Sequence, residues 1–429
     1  MSLFHERIKD YFPNDYNKFL ELLNNEPTQG FFLNTNKANK EDILNLLDFD
    51  YYKSDLTNDS YYHLNDNIGK TKAYELGLIY PQGIESSLTT SFIKDKDIKT
   101  IVDLCSAPGG KSINALNRFP NSLCICNDTN YSRSLILSSN LERLGLDNVI
   151  VTNKDCDTLA KQLNNFADLL ILDAPCSGEG MIRKYPEILD TYSLENIHKL
   201  ANIQEKLLDN AYDILKGDGI LIYSTCTYAF EEDENQINNF LNKYPDMHII
   251  SIDMNSNSKI KGTLKLSPLD NLEGQFICMM YKDSNSISST FKELKTVKDN
   301  IVDTFIRDNL NINNYYLYKN NDNYYLSLYP LIDLKSNVLR YGIYIGSIKN
   351  KRFEPSHCLY RANSLREYFK YTYDLNDEEY LKYISGNEFK TNLDNNYYLL
   401  TYHNYSIGYG KCSNKTMKNK YPKGLRRML

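Results

Sequence analysis

From residue 99 onward, short apolar runs alternate with longer segments whose apolar positions recur every three or four residues. Thr100–Leu104, Leu123–Cys126, Val149–Val151, Leu169–Leu172 and Ile220–Tyr223 have strand length and are too short for ordinary helices. Between them, Gly110–Phe119, Tyr131–Leu144 (with Leu135, Leu137 and Leu141 among its apolar positions) and about Leu194–Leu215 carry helical spacing. Strands that are apolar throughout are buried on both faces. Their alternation with helices predicts an α/β domain on a doubly wound, mainly parallel sheet. His248–Ile252 and Gln275–Tyr281 are expected to add edge strands.

The flanks differ. Phe19, Leu22 and Leu23, and later Ile43, Leu44 and Leu47, suggest a small helical leading domain over residues 1–75, with the α/β domain over 76–283. Lys282–Ser289 is rich in Ser, Asp and Asn, and a linker is expected over 284–298. Residues 299–429 hold tyrosine-rich short segments, including Tyr341–Gly346 and Tyr397–Leu400, and are expected to form a separate α+β or mostly β module.

Composition narrows the classes. A hydrophobic content of 41% over 429 residues can fill ordinary cores. The formal charge of −6 offers no support for nucleic-acid binding by net charge, yet residues 411–429 hold seven Lys or Arg and no Asp or Glu. Nine cysteines, an odd number without a CxxC pair, indicate neither a disulfide framework nor a zinc site. No apolar run approaches the roughly 20 residues of a membrane span. A reducing, cytoplasmic setting and a metal-free monomer are expected.

Chemistry-bearing residues gather where strands end, which is where open α/β sheets bind ligands. The run through Leu172 stops at Asp173 and is followed by Ala-Pro-Cys-Ser-Gly-Glu-Gly, which sets Cys176 in a turn. Taken alone, Cys176 reads equally well as a small core residue. Gly219–Tyr228 repeats the pattern and puts Cys226 at its carboxyl edge, so two strands deliver one thiol each to the same rim. After the first strand, Cys105-Ser106-Ala107-Pro108-Gly109-Gly110-Lys111 leads into a helix, a turn that offers backbone N–H groups to a nucleotide-like ligand. A triphosphate loop would need Gly at position 105, and Pro108 lacks an N–H. The dinucleotide fingerprint is absent, so a phosphate-free cofactor fits best. Asp128 ends the second strand, where an acidic side chain can accept ribose hydroxyls or cap the next helix. Lys111 and Arg133 are candidates to orient a cofactor carboxylate or RNA. His357, beside a Pro-Ser turn, reads as structural.

Asp-Ala-Pro-Cys-Ser-Gly at 173–178, Ser-Thr-Cys-Thr at 224–227 and Cys-Ser-Ala-Pro-Gly-Gly-Lys at 105–111 resemble the RNA 5-methylcytosine methyltransferases of the Sun/RsmB/RsmF group. Gly178–Lys184, Glu273–Phe276, Arg352–His357 and Lys418–Arg426 resemble the RsmF-like branch; Gly30–Lys37, with Phe32 or its neighbour in place of a basic residue, resembles the amino-terminal signature. The resemblance implies a Rossmann-like class I S-adenosyl-L-methionine-dependent domain, a PUA-like carboxyl-terminal RNA-binding module and small-subunit ribosomal RNA as partner. It implies Cys226 as nucleophile towards carbon 6 of cytosine, Cys176 assisting release, Asp173 at ring nitrogen 3 and Asp155 beside the adenine. The cofactor is then expected at Cys105–Lys111, Asp128, Arg133, Asp155 and Asp173. Lys418, Lys420, Lys423, Arg426 and Arg427 are candidates for phosphate contact. A transfer-RNA substrate, a non-catalytic assembly factor and an amine-directed methyltransferase remain as alternatives.

Overall fold

The computed structural model describes residues 2–64, 67–94, 96–284 and 289–427. Its centre is a nine-stranded sheet. Strands β1 (Thr100–Asp103), β2 (Leu123–Asn127), β3 (Val149–Thr152), β4 (Ala167–Asp173) and β5 (Leu215–Thr225) run parallel; β6 (Met247–Ile250), β7 (Leu264–Leu266), β8 (Gln275–Lys282) and β9 (Val338–Tyr341) are antiparallel to their neighbours. The order is β6-β8-β5-β4-β1-β2-β3-β9, with β7 paired to β8. The crossover reverses between β1 and β4, a switch point that opens a crevice at the strand carboxyl ends.

Helices α1 (Gly110–Arg118), α2 (Tyr131–Leu144), α3 (Cys156–Gln162), α4 (Leu194–Ile214) and α5 (Glu234–Lys243) cover the faces. The uninterrupted apolar strands account for this layering: Ile101, Ile125, Val149, Leu170 and Leu221 are fully buried, so both sheet faces need a cover. Cys124 and Cys126 point to one core face, with their sulfurs 3.4 Å apart. Helix α2 departs from expectation at Leu135, which is 48% exposed. Leu137, Leu141 and Leu144 form its buried stripe, and a residue two positions from Leu137 falls on the far side of a 3.6-residue turn.

The amino-terminal segment contains a four-stranded antiparallel sheet (Gly30–Leu33, Tyr51–Lys53, Ser60–His63, Ile79–Pro81) besides the expected helices. Residues 299–427, expected as one module, form two sheets. Tyr316–Asn320, Asn323–Ser327, Ile343–Lys349 and Arg352–Pro355 make the first; Thr372–Leu375, Phe389–Lys390, Tyr397–Tyr402, Tyr405–Ser413 and Thr416–Asn419 make the second. Strand β9 leaves this region to extend the central sheet, and Gly342, at φ +63, makes the turn back. Tyr318, Tyr325, Leu331, Leu334, Val338 and Tyr341 join the central core, so this region is packed into the α/β layers. Residues 285–288 of the expected linker lie outside the described residues.

Candidate active site

The loop between β1 and α1 is held from several sides. Gly109 adopts φ +116, a left-handed conformation that disfavours any side chain, and the Ala107–Pro108 bond is cis. Ser106 and Ser112 hydroxyls meet at 2.6 Å, and Ser112 donates to Asp103 Oδ2 at 2.6 Å. Asp103 is buried at the end of β1, and its Oδ1 has no partner. Burial pushes its carboxyl up to about 7. Contact with Cys156, then burial, pushes the Cys105 thiol up. From α2, Arg133 donates to the Ala107 carbonyl and Asn140 to the Pro108 carbonyl (2.9 Å).

Asp128 is buried at the end of β2. Its Oδ1 accepts the Asn130 N–H at 2.8 Å, and its Oδ2 lies 3.6 Å from Arg133. Asn130 itself caps α2, accepting the Arg133 N–H, so Asp128 stays free of the capping role. Asp155 caps α3 and accepts the Thr158 N–H at 2.8 Å, which lowers its carboxyl below the ordinary range; it is exposed.

The two candidate cysteines come together. Adjacent parallel strands β4 and β5 pair Asp173 with Ser224, which sets the turns that follow side by side. Cys176 Sγ and Cys226 Sγ lie 3.1 Å apart, and the Cys226 N–H donates to Cys176 Sγ at 3.3 Å. Both are partly exposed free thiols. Contact with Cys226 and burial push the Cys176 thiol well above its usual range, so it stays protonated at neutral pH and can donate its S–H. Asp173 accepts from Ser224 Oγ at 2.8 Å and pairs with Lys111 Nζ at 2.7 Å. The Lys111–Asp173 pair joins the cofactor-type loop to the strand end that precedes Cys176, and Lys111 also donates to Ser86 at 3.1 Å.

Behind the thiols lie buried acids, of which the sequence marks Glu179 only as a reactive type in the turn with Cys176 and gives no sign of Glu232. Glu179 accepts Thr227 Oγ1 at 2.8 Å and the Tyr228 N–H at 2.9 Å. Glu232 Oε2 accepts the Ser177 N–H at 3.0 Å and Gln204 Nε2 at 2.8 Å; Oε1 is buried and unpartnered, and burial pushes the group up to about 7. A run of four acids at 231–234 reads as a solvated face. Lys265, buried at 3.1 Å from Asp233 and 2.8 Å from Glu234, takes most of that run inside, and no local signal announces so distant a partner. His357 is structural as expected: its ring nitrogens meet Glu142 Oε1 and the Ile407 carbonyl, each at 3.1 Å.

Three sequence models match in succession: the N-terminal domain of 16S rRNA methyltransferase RsmF at residues 2–83, 16S rRNA methyltransferase RsmB/F at 90–281, and the methyltransferase RsmF PUA domain at 370–427. Together they take in more than three quarters of the chain. The chain belongs to the RsmB/RsmF methyltransferase family. Within it, the chain is similar to ribosomal RNA small subunit methyltransferase F of Aliivibrio salmonicida (32% identical over 236 residues, 53% of this chain and 50% of that protein). The same protein of Aliivibrio fischeri is 35% identical over 182 residues, 42% of this chain and 38% of its own. The chain thus spans about half or less of the length of the curated relatives it matches. NSun6 from Pyrococcus horikoshii superposes with a TM-score of 0.60 at 20% identity, over 66% of this chain and 99% of that one, a likeness of fold. In this RsmB/RsmF member the thiol pair and the 105–111 loop lie inside the RsmB/F match, and the basic stretch 411–427 inside the PUA match. Among the described residues, no group of three or more His, Cys, Asp or Glu is placed to hold a metal, and no helix is long and apolar enough to cross a membrane.

Proposed function

We propose that this chain is an S-adenosyl-L-methionine-dependent RNA methyltransferase that modifies carbon 5 of cytosine in small-subunit ribosomal RNA. The observation that carries the reading is the pair of thiols 3.1 Å apart, set by adjacent strand ends beside Asp173 and its Lys111 partner. Amine-directed methyl transfer needs no thiol, whereas carbon 5 of cytosine is too weak a nucleophile to react unaided. The names of the curated relatives support the ribosomal substrate.

The residues present fit the cofactor. Asp103 Oδ1 is a buried acceptor without a partner, suited to an ammonium, and Asp128 presents a carboxylate at a strand end, suited to paired hydroxyls. Residues 105–111 and Arg133 complete the near wall, and by family likeness Asp155 serves the adenine end. Bound there, S-adenosylmethionine supplies an electrophilic methyl group. The chain's own groups do the rest. Cys226 Sγ bonds to carbon 6, and the electrons of the 5,6 double bond shift towards carbon 5 and nitrogen 3. Asp173 holds at nitrogen 3 the proton that the thiol gives up. After methylation the carbon 5 proton passes to solvent, the 5,6 double bond re-forms as the sulfur–carbon bond breaks, and the proton held at nitrogen 3 returns to the released Cys226 sulfur. Cys176, kept as a thiol, offers its S–H as a hydrogen bond to the departing sulfur and keeps its own proton. A base in a duplex cannot reach this rim, so the target is unstacked or flipped.

The test incubates wild type, Cys226→Ala and Cys176→Ala with the cofactor and small ribosomal subunits, followed by denaturing gels and nucleoside mass spectrometry. Wild type should form 5-methylcytidine, Cys226→Ala none, and Cys176→Ala a denaturant-stable protein–RNA adduct. Full activity of Cys226→Ala would overturn the covalent mechanism; activity confined to transfer RNA would overturn the ribosomal substrate.

A further inference from the structure

The two turns that carry the thiols share a support that the reaction itself does not use. Glu179, three residues past Cys176, is buried, and its Oε2 reaches the other turn, accepting Thr227 Oγ1 at 2.8 Å and the Tyr228 N–H at 2.9 Å. Those two residues directly follow Cys226, so one carboxylate oxygen ties the turns together. The other oxygen, Oε1, accepts the Tyr192 hydroxyl, with the Tyr11 hydroxyl at 3.5 Å and Arg7 Nε at 3.9 Å.

Arg7 and Tyr11 stand one turn apart on the amino-terminal helix, Leu3–Tyr11. Arg7 also clasps Glu231, five residues past Cys226, with both terminal nitrogens: Nη1 donates to Oε1 at 3.1 Å and Nη2 to Oε2. Apolar packing follows the same path, since Phe4, Ile8, Tyr11 and Phe12 share a buried cluster with Ile182, beyond the Cys176 turn, and Tyr228, beside Cys226. Two carboxylates, one from each thiol turn, thus face a single largely buried guanidinium. Without that cation they would be like charges in a place of low water content, and such charges are relieved by moving apart or by drawing in water. Either response loosens one thiol turn from the other.

We propose that Arg7 is a positioning residue for the thiol pair: by bridging Glu179 on one turn and Glu231 on the other, it makes the amino-terminal helix a strap that holds Cys176 against Cys226. The consequence for turnover rests on the RNA methyltransferase reading; the consequence for the spacing of the sulfurs does not. An S–H offered to a departing sulfur serves only at hydrogen-bond distance, so a turn that drifts by an ångström slows release of the product without touching the RNA.

The test uses the sulfurs as a ruler. Full-length wild type, Arg7→Gln, Arg7→Lys and Lys9→Gln, a change at an exposed position of the same helix, are treated with diamide, which takes the two thiol hydrogens and is reduced to its hydrazine as a sulfur–sulfur bond forms. Peptide mapping follows the 176–226 bond with time, and kcat and KM for RNA methylation are measured on the same preparations. Arg7→Gln should slow bond formation and lower kcat, each by about tenfold to a hundredfold, with KM unchanged. Arg7→Lys, which keeps the charge without the two-pronged grip, should recover part of both, and Lys9→Gln should alter neither. A variant that only melts lower, with bond formation and kcat unchanged, would overturn the proposal and leave a structural ion pair. A rise in KM alone would overturn it in favour of an RNA contact, and no 176–226 bond in wild type would overturn the spacing itself. Should Arg7→Gln fail to fold, Glu231→Gln, at the more exposed end of the clasp, makes the same test. Diamide oxidation needs neither RNA nor cofactor, so failure of wild type to methylate counts against the proposed function and leaves the spacing result standing.

Discussion

Cys176 and Cys226 stand at matching ends of adjacent strands, and their contact together with burial raises the Cys176 thiol. Cys176 lies among acids: Glu232 is among the charges that hold its proton on, behind the contact with Cys226 and burial. Glu232 makes this environment measurable through stability. Burial raises its carboxyl from an ordinary 4.5 to about 7, so the unfolded chain releases this proton first as pH rises. The contribution to stability is therefore full below the ordinary value and is lost as pH rises from about 4.5 through about 7. Glu232→Gln should flatten the fall in melting temperature over that window and gain up to roughly 3 kcal/mol relative to wild type at pH 8. Asp103, raised to a similar value, should leave a residual slope in the variant. Parallel curves for variant and wild type would exclude Glu232 as the titrating group.

At the scale of elements, the turn after β4 is pinned by a close crossing of two glycines. Gly180 donates to the Cys226 carbonyl at 2.9 Å and accepts from the Gly274 N–H at 3.0 Å. A Cβ on Gly180 would stand 2.5 Å from Gly274 Cα, and one on Gly274 2.3 Å from Gly180 Cα. The need here is for space and not for a special φ. Gly180→Ala should force the turn away from Cys226, lowering stability by about 1–3 kcal/mol and methylation by a larger factor than the lost stability explains. Unfolding and activity measured on one preparation check this. The Gly-Glu-Gly run was visible as a turn, but the partner that makes it obligatory is 94 residues away and carries no local sign.

For the whole molecule, the carboxyl-terminal region is built into the centre. β9 pairs with β3, and the buried Arg340 donates to the Leu146 carbonyl at 2.9 Å and to the Gly342 carbonyl at 2.6 Å. Removing residues 289–427 would bare the edge of β3 and the apolar surface under Tyr318, Leu331 and Val338. The fragment should be poorly soluble or bind a hydrophobic dye, and a soluble, cooperatively melting fragment would refute this integration. The sequence by itself determined the parallel sheet, the positions of Asp173, Cys176 and Cys226 at strand ends and the loop that opens α1. Those signals are periodic or local, and a strand's end fixes where the next side chains stand. Only the tertiary structure decided that β9 joins the sheet, that Glu232 and its neighbours are buried, and that Lys111 meets Asp173. Each depends on contacts between residues dozens to hundreds of positions apart, and a pattern of apolar and polar positions records whether a residue is buried without recording its partner.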